Sequence, residues 1–385
     1  MTSSTLVIHS ARVVDDGRIA EHGWVRFEAG RVVSRGLGDT WSPAGQVVDA
    51  AELAGPGAVL TPGFIDLHGH GGGGFSFDDG PDAIRAARAL HREHGTTRAV
   101  ISLVTAPLDD LERRVAEVAA LTTTDADVLG SHLEGPFLDP AHHGAHDPAL
   151  LRAPAPADLE RVLRAGGGTV RQVTIAPDLP GGLDAIRLVV DAGAVAAVGH
   201  TGADAAVAAS AFDAGASILT HAFNAMPGIH HRDPGPVLAA AHDRRVVLEA
   251  IADGVHLHPH VLKLLFDAAP ARIALITDAM AAAGRGDGAY DLGAVRVTVR
   301  DGVARADATG AIAGSTLTQD AALRQAVDAG IALPDAVNAL TATPAAAIGF
   351  ADRLGRLVPG FAADAVLLDA ELRVVRVWTG EHIPR

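Results

Sequence analysis

Eight short apolar runs, separated by Ala-rich stretches of helical period, constrain the fold of this chain of 385 residues more than any other feature. Helix-start signals occur between the runs, for example before residues 83–94 and before residues 205–214. Alternation of buried strands and helices predicts an α/β protein, and eight such units predict a closed (β/α)8 TIM barrel. An open, doubly wound parallel sheet is the competing architecture, but the glycine run that follows the first strand is by itself only weak evidence for the phosphate-binding loop of that fold. The runs occupy residues 63–66, 98–104, 128–133, 170–175, 195–198, 217–220, 246–251 and 272–277.

The two ends of the chain have a different pattern, with short alternating strands and no helical period. We expect residues 1–58 and 352–385 to pair into one small β-sandwich domain, which leaves residues 59–351 for the barrel. After the eighth run, Asp301-Gly302 lies between alternating residues and predicts a β-hairpin. The sequence therefore predicts an insertion near residues 290–312, at the mouth of the barrel.

Composition and charge exclude several kinds of site and partner. The chain has no cysteine, so any metal must be held by His, Asp or Glu rather than by thiolates. A net charge of −15 with no basic stripe argues against nucleic acid and against anionic membranes as partners. The first residues lack the pattern of a signal peptide, and no apolar run approaches the roughly 18 residues of a membrane span. We therefore expect a cytoplasmic protein.

Histidines and carboxylates follow most of the runs, at the barrel end where active sites of this fold lie. His200 and His221 follow adjacent runs, so their rings can converge on one ion, with Glu134 supplying an oxygen. We predict these three residues as metal ligands. Some barrel hydrolases bridge two metals with a carboxylated lysine after the fourth strand, but the only lysine here, Lys263, lies in a helix after the seventh run. A bridging role would therefore fall to Glu134.

The first and eighth runs end in further candidate site residues. His68 and His70 lie on the same side of an extended segment, a geometry that suits a second metal position. The alternative is that both histidines only hydrogen-bond the glycine-rich loop that follows. Asp278 is the candidate general base, which would take a proton from metal-activated water and pass it to a leaving amine. Its alternative role is to cap the next helix.

These motifs together resemble the N-acetylglucosamine-6-phosphate deacetylases of the amidohydrolase superfamily. The resemblance extends over nearly the whole chain and combines several specific motifs. They are PGFID at 62–66, HLEGPF at 132–137, GAH at 144–146, AP at 176–177, GHT at 199–201, HAFNAMP at 221–227, IADGVH at 251–256, TDA at 277–279 and AGSTLT at 313–318.

The resemblance implies hydrolysis of the 2-acetamido group of N-acetyl-D-glucosamine 6-phosphate to glucosamine 6-phosphate and acetate, in amino-sugar catabolism and cell-wall recycling. It implies that Asp278 is the general base and then the acid. It also implies that His146 contacts the acetamido carbonyl or the sugar, with Ala145 beside it. The other substrate-binding residues that it implies contact the phosphate end, in part across a homodimer interface; they are Asn224, Ala225, Arg232 and His256.

The chain departs from the family pattern at three places. Family members differ at the positions of His68 and His70, so the number of divalent metals, one or two, does not transfer, and we favour two. Zn, Fe, Mn and Co all accept such ligands. His143 stands where lysine is usual, and Gln319 replaces a usual methionine.

Three alternative functions stay open at this point. They are a deacetylase for the galactosamine isomer, an N-acyl-amino-acid deacylase, and a non-catalytic barrel, which should have lost a ligand or the base.

Overall fold

The computed structural model describes residues 5–380, so residues 1–4 and 381–385 of the expected terminal domain lie outside the described residues. Each of the eight apolar runs contains a strand, and these strands are parallel and paired in chain order. In chain order they are the first to the eighth barrel strand. Their bounds are Phe64–Asp66, Thr96–Val104, Val128–Glu134, Val170–Ile175, Val195–Val198, Ile218–Leu219, Val247–Ile251 and Ile273–Ile276.

The barrel closes through the segments that follow the first and eighth strands. The Asp278 amide donates to the His68 carbonyl at 2.8 Å, and the His70 amide donates to the Ala279 carbonyl at 2.7 Å. Most strand residues are buried because helices cover the outside and side chains fill the inside. The predicted (β/α)8 barrel is confirmed, and its closing contacts lie directly at the candidate site residues.

Helices follow the barrel strands on the outside. Several begin with proline at their first position, where the missing N–H costs nothing, and Asp204 caps another by accepting from the amides of Ala206 and Val207 at 2.9 and 2.8 Å. Three further short helical turns are of the 3-10 type, at Phe77–Asp79, Pro140–His142 and Pro148–Leu150. The helices of the barrel segment are Pro81–Glu93, Leu108–Thr124, Pro156–Ala165, Gly182–Asp191, Ala205–Asp213, Gly235–His242, Pro259–Ala268, Gln319–Asp328, Leu333–Leu340 and Ala342–Ala347.

Strands from both ends of the chain form a seven-stranded sheet of their own, with a separate apolar core. Strand Val59–Pro62 belongs to this sheet, pairing with a strand from each end, so the chain enters the barrel four residues later than expected. The long first strand has two register shifts, and pairs with different neighbours along its length. The strands are Thr5–Asp15, Arg18–Glu28, Arg31–Leu37, Gln46–Asp49, Val59–Pro62, Ala365–Leu368 and Val374–Trp378, and a short helix covers Ala50–Ala54.

The segment after the eighth strand forms a small antiparallel sheet of three strands, Gly288–Leu292, Val295–Arg300 and Val303–Ala306. The predicted turn at Asp301-Gly302 joins its second and third strands. A two-stranded pair, Gly71–Gly72 with Phe75–Ser76, follows the first barrel strand. Among residues 5–380, no helix has both the length and the apolar character needed to cross a membrane.

Candidate active site

Two predicted metal ligands and the predicted base have a left-handed backbone conformation that side-chain-bearing residues rarely adopt. The φ angles are +47° at His200, +26° at His221 and +48° at Asp278. Each residue lies two positions after the last residue of its strand, so the unusual backbone turns the chain where the side chain enters the barrel mouth. Such strain persists only when surrounding contacts hold it; at Asp278, the carbonyl accepts from the Ser315 amide at 2.7 Å.

Glu134 is the point on which the predicted ligands converge. Its Oε1 lies 3.2 Å from Nε2 of His200, 3.0 Å from Nε2 of His221 and 3.3 Å from Nε2 of His68. Its Oε2 lies 3.1 Å from Nε2 of His70. One carboxylate at the end of the third strand therefore reaches the histidines of the first, fifth and sixth strands, as a bridging ligand would.

The possible ligand atoms form two groups, and within each group they all lie within 4.8 Å of one another. The groups are Glu134 with His146 and His200, and His68 with His70 and Asp278. His221 joins the first group, because its Nε2 is 3.0 Å from Nε2 of His200. In the second group Oδ1 of Asp278 is 3.2 Å from Nε2 of His70. The structure thus brings together all five predicted metal ligands and the predicted base.

The hydrogen bonds of the histidines show that these groups suit a metal ion. Nδ1 of His200 is 3.0 Å from the His142 carbonyl, which can only accept, so this nitrogen carries the proton. The neutral ring then has its lone pair at Nε2, facing the Glu134 carboxylate and the His221 ring. This lone pair and the Glu134 carboxylate, 3.2 Å apart, repel each other unless a metal cation or a donated proton lies beside them. The residues present therefore fit a divalent metal with nitrogen and oxygen ligands.

Charges within the site shift several pKa values strongly. Burial lowers the pKa of His70, but its contacts with Asp278 and Glu134 outweigh burial and raise it to about 9. Burial raises the pKa of Asp278, but His68 and His70 outweigh it and lower it to about 2. The carboxylates therefore favour positive charge on these histidines, and a divalent ion that binds here must displace protons.

Several buried residues that the sequence analysis did not single out support these ligands. The Asp66 carboxylate accepts from the His68 and Thr277 amides at 3.3 and 3.2 Å and from the Thr277 hydroxyl at 2.6 Å. Glu249, inside the seventh strand, approaches His68 Nδ1 at 3.2 Å. Glu249 could have been noticed in the sequence because it is the one acidic residue of an otherwise apolar run.

His132 is a histidine of the matching motif that does not join the metal group. Its Nδ1 is 2.9 Å from the Ser102 hydroxyl and its Nε2 is 2.8 Å from the Thr174 hydroxyl, so both nitrogens have partners inside the barrel. Burial and the neighbouring His68 lower its pKa well below the ordinary range. His132 is therefore a neutral residue of the barrel interior, packed edge to face on His68 with ring centroids 4.6 Å apart.

A cavity of about 250 Å³ opens above the ligands. Its walls include predicted substrate-binding residues from three different loops: Ala145, His146, Asn224, Ala225 and His256. The segment after the eighth strand supplies an apolar wall made of Leu292, Ala294, Val295, Ala311 and Ile312. Among the described residues that line this cavity, there is no lysine and no arginine.

The predicted phosphate ligands lie in different places. His256 is at the cavity, where its Nδ1 lies 2.7 Å from Asp253 Oδ2. Burial lowers the pKa of His256, but Asp253 outweighs burial and raises it. Arg232 does not line the cavity; it is exposed and donates to His231 Nε2 at 2.7 Å. Within one subunit, the structure does not bring Arg232 to the other site residues.

Two loop histidines near the cavity have defined partners. Nδ1 of His146 is 2.8 Å from the Thr105 hydroxyl, and its Nε2 is 3.5 Å from Glu134 Oε2. Burial lowers the pKa of His146, which favours its neutral form. His143, which stands where lysine is usual, contacts the His146 carbonyl through Nδ1 at 3.0 Å. It therefore helps to hold the loop that carries His146.

Comparisons with known proteins agree with this geometry. The model of the amidohydrolase family matches residues 59–381. The chain is 40% identical over 325 residues to N-acetylgalactosamine-6-phosphate deacetylase of Escherichia coli O157:H7, covering 83% of this chain and 86% of that protein. It is 33% identical over 388 residues to N-acetylglucosamine-6-phosphate deacetylase of Bacillus subtilis (strain 168), covering 97% and 95%.

A solved structure supports the same assignment over the entire fold. The N-acetyl-D-glucosamine-6-phosphate deacetylase of Mycobacterium smegmatis, in complex with N-acetyl-D-glucosamine-6-phosphate, is 41% identical to this chain. The two structures superpose with a TM-score of 0.91 and cover 99% of both chains. With the barrel, the converging ligands and these relatives all in agreement, the chain belongs to the amidohydrolase family.

Proposed function

We propose that this chain is a divalent-metal-dependent deacetylase that hydrolyses N-acetyl-D-glucosamine 6-phosphate to D-glucosamine 6-phosphate and acetate, in amino-sugar catabolism and cell-wall recycling. The observation that carries the proposal is the convergence of Glu134, His200 and His221 beside Asp278 at the floor of one cavity. The similar structure with this sugar phosphate bound supports the choice of substrate.

Glu134, His200 and His221 would hold the main divalent ion, with His68 and His70 at a second position. When bound, the ion supplies Lewis-acid chemistry to amide hydrolysis. The grouping of His68, His70 and Asp278 supports two ions per chain. Zn, Fe, Mn and Co all suit this set of nitrogen and oxygen ligands.

Asp278 is the residue that we assign to proton transfer. Positive charge at the neighbouring His68 and His70 lowers the pKa of Asp278, so the carboxylate is ionised and can accept a proton from the attacking water. The same carboxyl group then delivers the proton to the amino group at C2, so that the amine departs neutral. The backbone at residue 278 is left-handed, and the Asp278 side chain lines the cavity, where a bound substrate would lie.

His146 is the residue that we assign to the acetamido carbonyl. If the Thr105 hydroxyl donates to Nδ1, the neutral ring carries its proton at Nε2, on the side of Glu134 and the cavity. From there it can donate to the carbonyl oxygen as negative charge develops. Ala145 lies next to it in the cavity wall.

Recognition of the phosphate calls for an arginine or lysine, and the described residues that line the cavity of one subunit include neither. Asn224, Ala225 and His256 line the cavity, whereas the planar donor fork of Arg232 is exposed away from it. We propose that the protein is a homodimer in which Arg232 completes the phosphate site of the partner subunit. We also place it in the cytoplasm, because a doubly charged sugar phosphate crosses an apolar membrane only at high cost.

A deacetylase for the galactosamine isomer is the second candidate, favoured by the relative that is 40% identical. The test compares kcat/KM for N-acetylglucosamine 6-phosphate, for N-acetylgalactosamine 6-phosphate and for unphosphorylated N-acetylglucosamine. We expect the glucosamine phosphate to be the preferred substrate. Preference for the galactosamine phosphate would favour the second candidate, and equal values with and without phosphate would refute the phosphate site.

A further inference from the structure

One carboxylate that the proposed reaction does not use lies directly beneath the candidate metal ligands. Glu249 is in the seventh barrel strand, and none of its surface is exposed to solvent. Burying an ionised carboxylate is costly unless charges and hydrogen bonds compensate. The contacts of Glu249 therefore indicate its role.

Three groups from three parts of the barrel surround this carboxylate. Its Oε1 accepts from Nε2 of Gln172, in the fourth strand, at 2.9 Å. Its Oε2 is 3.2 Å from Nδ1 of His68 and accepts weakly from the His221 amide at 3.4 Å. Of these partners, only the His68 ring can become positively charged or coordinate a cation.

The contact decides how the His68 ring is protonated. Because the Glu249 carboxylate accepts at Nδ1, the lone pair of neutral His68 is at Nε2. That nitrogen faces Glu134 Oε1 at 3.3 Å and Asp278 Oδ1 at 3.6 Å. A histidine that donates its other N–H to a carboxylate has a fixed orientation and is a more basic ligand.

His200, in the other ligand group, has a different kind of support. Its Nδ1 faces a neutral backbone carbonyl, that of His142, at 3.0 Å. The two metal positions are therefore not equivalent. The Nδ1 of His68 faces a buried carboxylate, whereas the Nδ1 of His200 faces a neutral carbonyl. This difference makes Glu249 important at the position of His68 in particular.

We propose that Glu249 is a positioning residue that holds His68 as an Nε2 ligand of the second divalent cation, and that Gln172 holds Glu249. The inference rests on the proposed metal-dependent function, since it concerns the same ligands. It requires the second position to depend on Glu249 much more than the first position, where Glu249 contacts only the backbone amide of His221.

The test is to load the full chain with Zn²⁺ and measure the ions retained against increasing chelator. We expect Glu249→Gln to weaken binding of the second ion roughly 10- to 100-fold, while the affinity for the first ion changes much less. The Co²⁺-loaded protein should show a matching change in its visible absorption spectrum. Glu160→Gln makes the same chemical change at an exposed helix position and should leave both ions unaffected.

A double-mutant cycle with His68→Ala separates positioning from a purely structural role. Without His68, the Glu249→Gln change should not weaken metal binding further. It should instead raise the melting temperature of the His68→Ala protein, because it removes a buried charge that has lost its partner. An equal loss of affinity in both backgrounds would overturn the proposal.

A Glu249→Gln protein that binds both ions with wild-type affinity would also overturn the proposal. If that variant does not fold, Gln172→Met keeps the carboxylate and should weaken the second ion in the same direction; unchanged binding would overturn the proposal. A wild-type protein that binds one ion and is active would refute this inference but not the proposed function. A protein without deacetylase activity that loses its second ion in Glu249→Gln would refute only the function.

Discussion

His91 makes the stability of this protein depend on pH in a direction and over a range that the structure defines. It lies in the helix Pro81–Glu93, is 2% exposed, and its Nε2 is 2.8 Å from the Gly71 carbonyl, just after the predicted ligand His70. Its Nδ1 is buried without a hydrogen-bond partner among the described residues. Burial, helped by the charge of Arg88, lowers the pKa of His91 to about 4.

The sign follows from which state binds the proton more tightly. In the unfolded chain His91 takes up its proton near pH 6.5, whereas in the fold it stays neutral until about pH 4. As the pH falls through this window, protonation favours the unfolded chain. The full shift of about 2.5 pH units is worth about 3.5 kcal/mol at about 1.4 kcal/mol per unit. Because protonation is incomplete at both ends of the window, the free energy of unfolding should fall by about 3 kcal/mol through His91 alone.

Urea denaturation at pH 7, 6, 5 and 4 measures this loss when the wild type is compared with His91→Gln. Glutamine can still donate to the Gly71 carbonyl but does not titrate, so the variant should lose about 3 kcal/mol less than the wild type between pH 6.5 and 4. His242→Gln, at an exposed helix end, controls for the loss of any histidine. Parallel curves for the wild type and His91→Gln would show that the reasoning from burial is incorrect.

Three further predictions concern the proposed reaction. Asp278→Asn should lower kcat by about 10²- to 10⁴-fold because it removes proton transfer, and a kcat within tenfold of the wild type would remove Asp278 from that role. Arg232→Ala should raise KM for the sugar phosphate, measured beside the unphosphorylated sugar, for which kcat/KM should not change; equal effects on both would contradict a phosphate contact. Removal of divalent ions should abolish activity, and Zn²⁺, Mn²⁺, Co²⁺ or Fe²⁺ should restore it; full activity in the ion-free protein would refute metal dependence.

The barrel could be predicted from sequence because its signals are local. Each apolar run between helical stretches is a strand in the structure, although the run at 217–220 yields only Ile218–Leu219. The terminal sheet was harder to delimit. Strand Val59–Pro62 is as apolar as a barrel strand, and only its pairing with Thr5–Asp15 and Ala365–Leu368 assigns it to the other sheet. Such pairing joins residues far apart in sequence, and no local pattern records it.

The site was predictable where its residues follow strands and hidden where they lie within them. The ends of parallel strands meet at one edge of a barrel, so His200, His221 and Asp278 could be expected to converge. Glu249 and Gln172 lie inside strands, and the sequence does not show which face of a strand points into the barrel. The position of Arg232 depends on a loop whose path the flanking elements do not determine.

The same contacts that close the barrel also set the distance between the base and the histidines. Asp66 accepts from the His68 amide and from both the amide and the hydroxyl of Thr277, the residue before Asp278. The Asp278 amide donates in turn to the His68 carbonyl at 2.8 Å. A shift of the first strand against the eighth would therefore move His68 and Asp278 relative to each other and break these bonds together. Because packed strands resist such sliding, the barrel keeps ligand and base in register without relying on the loops above them.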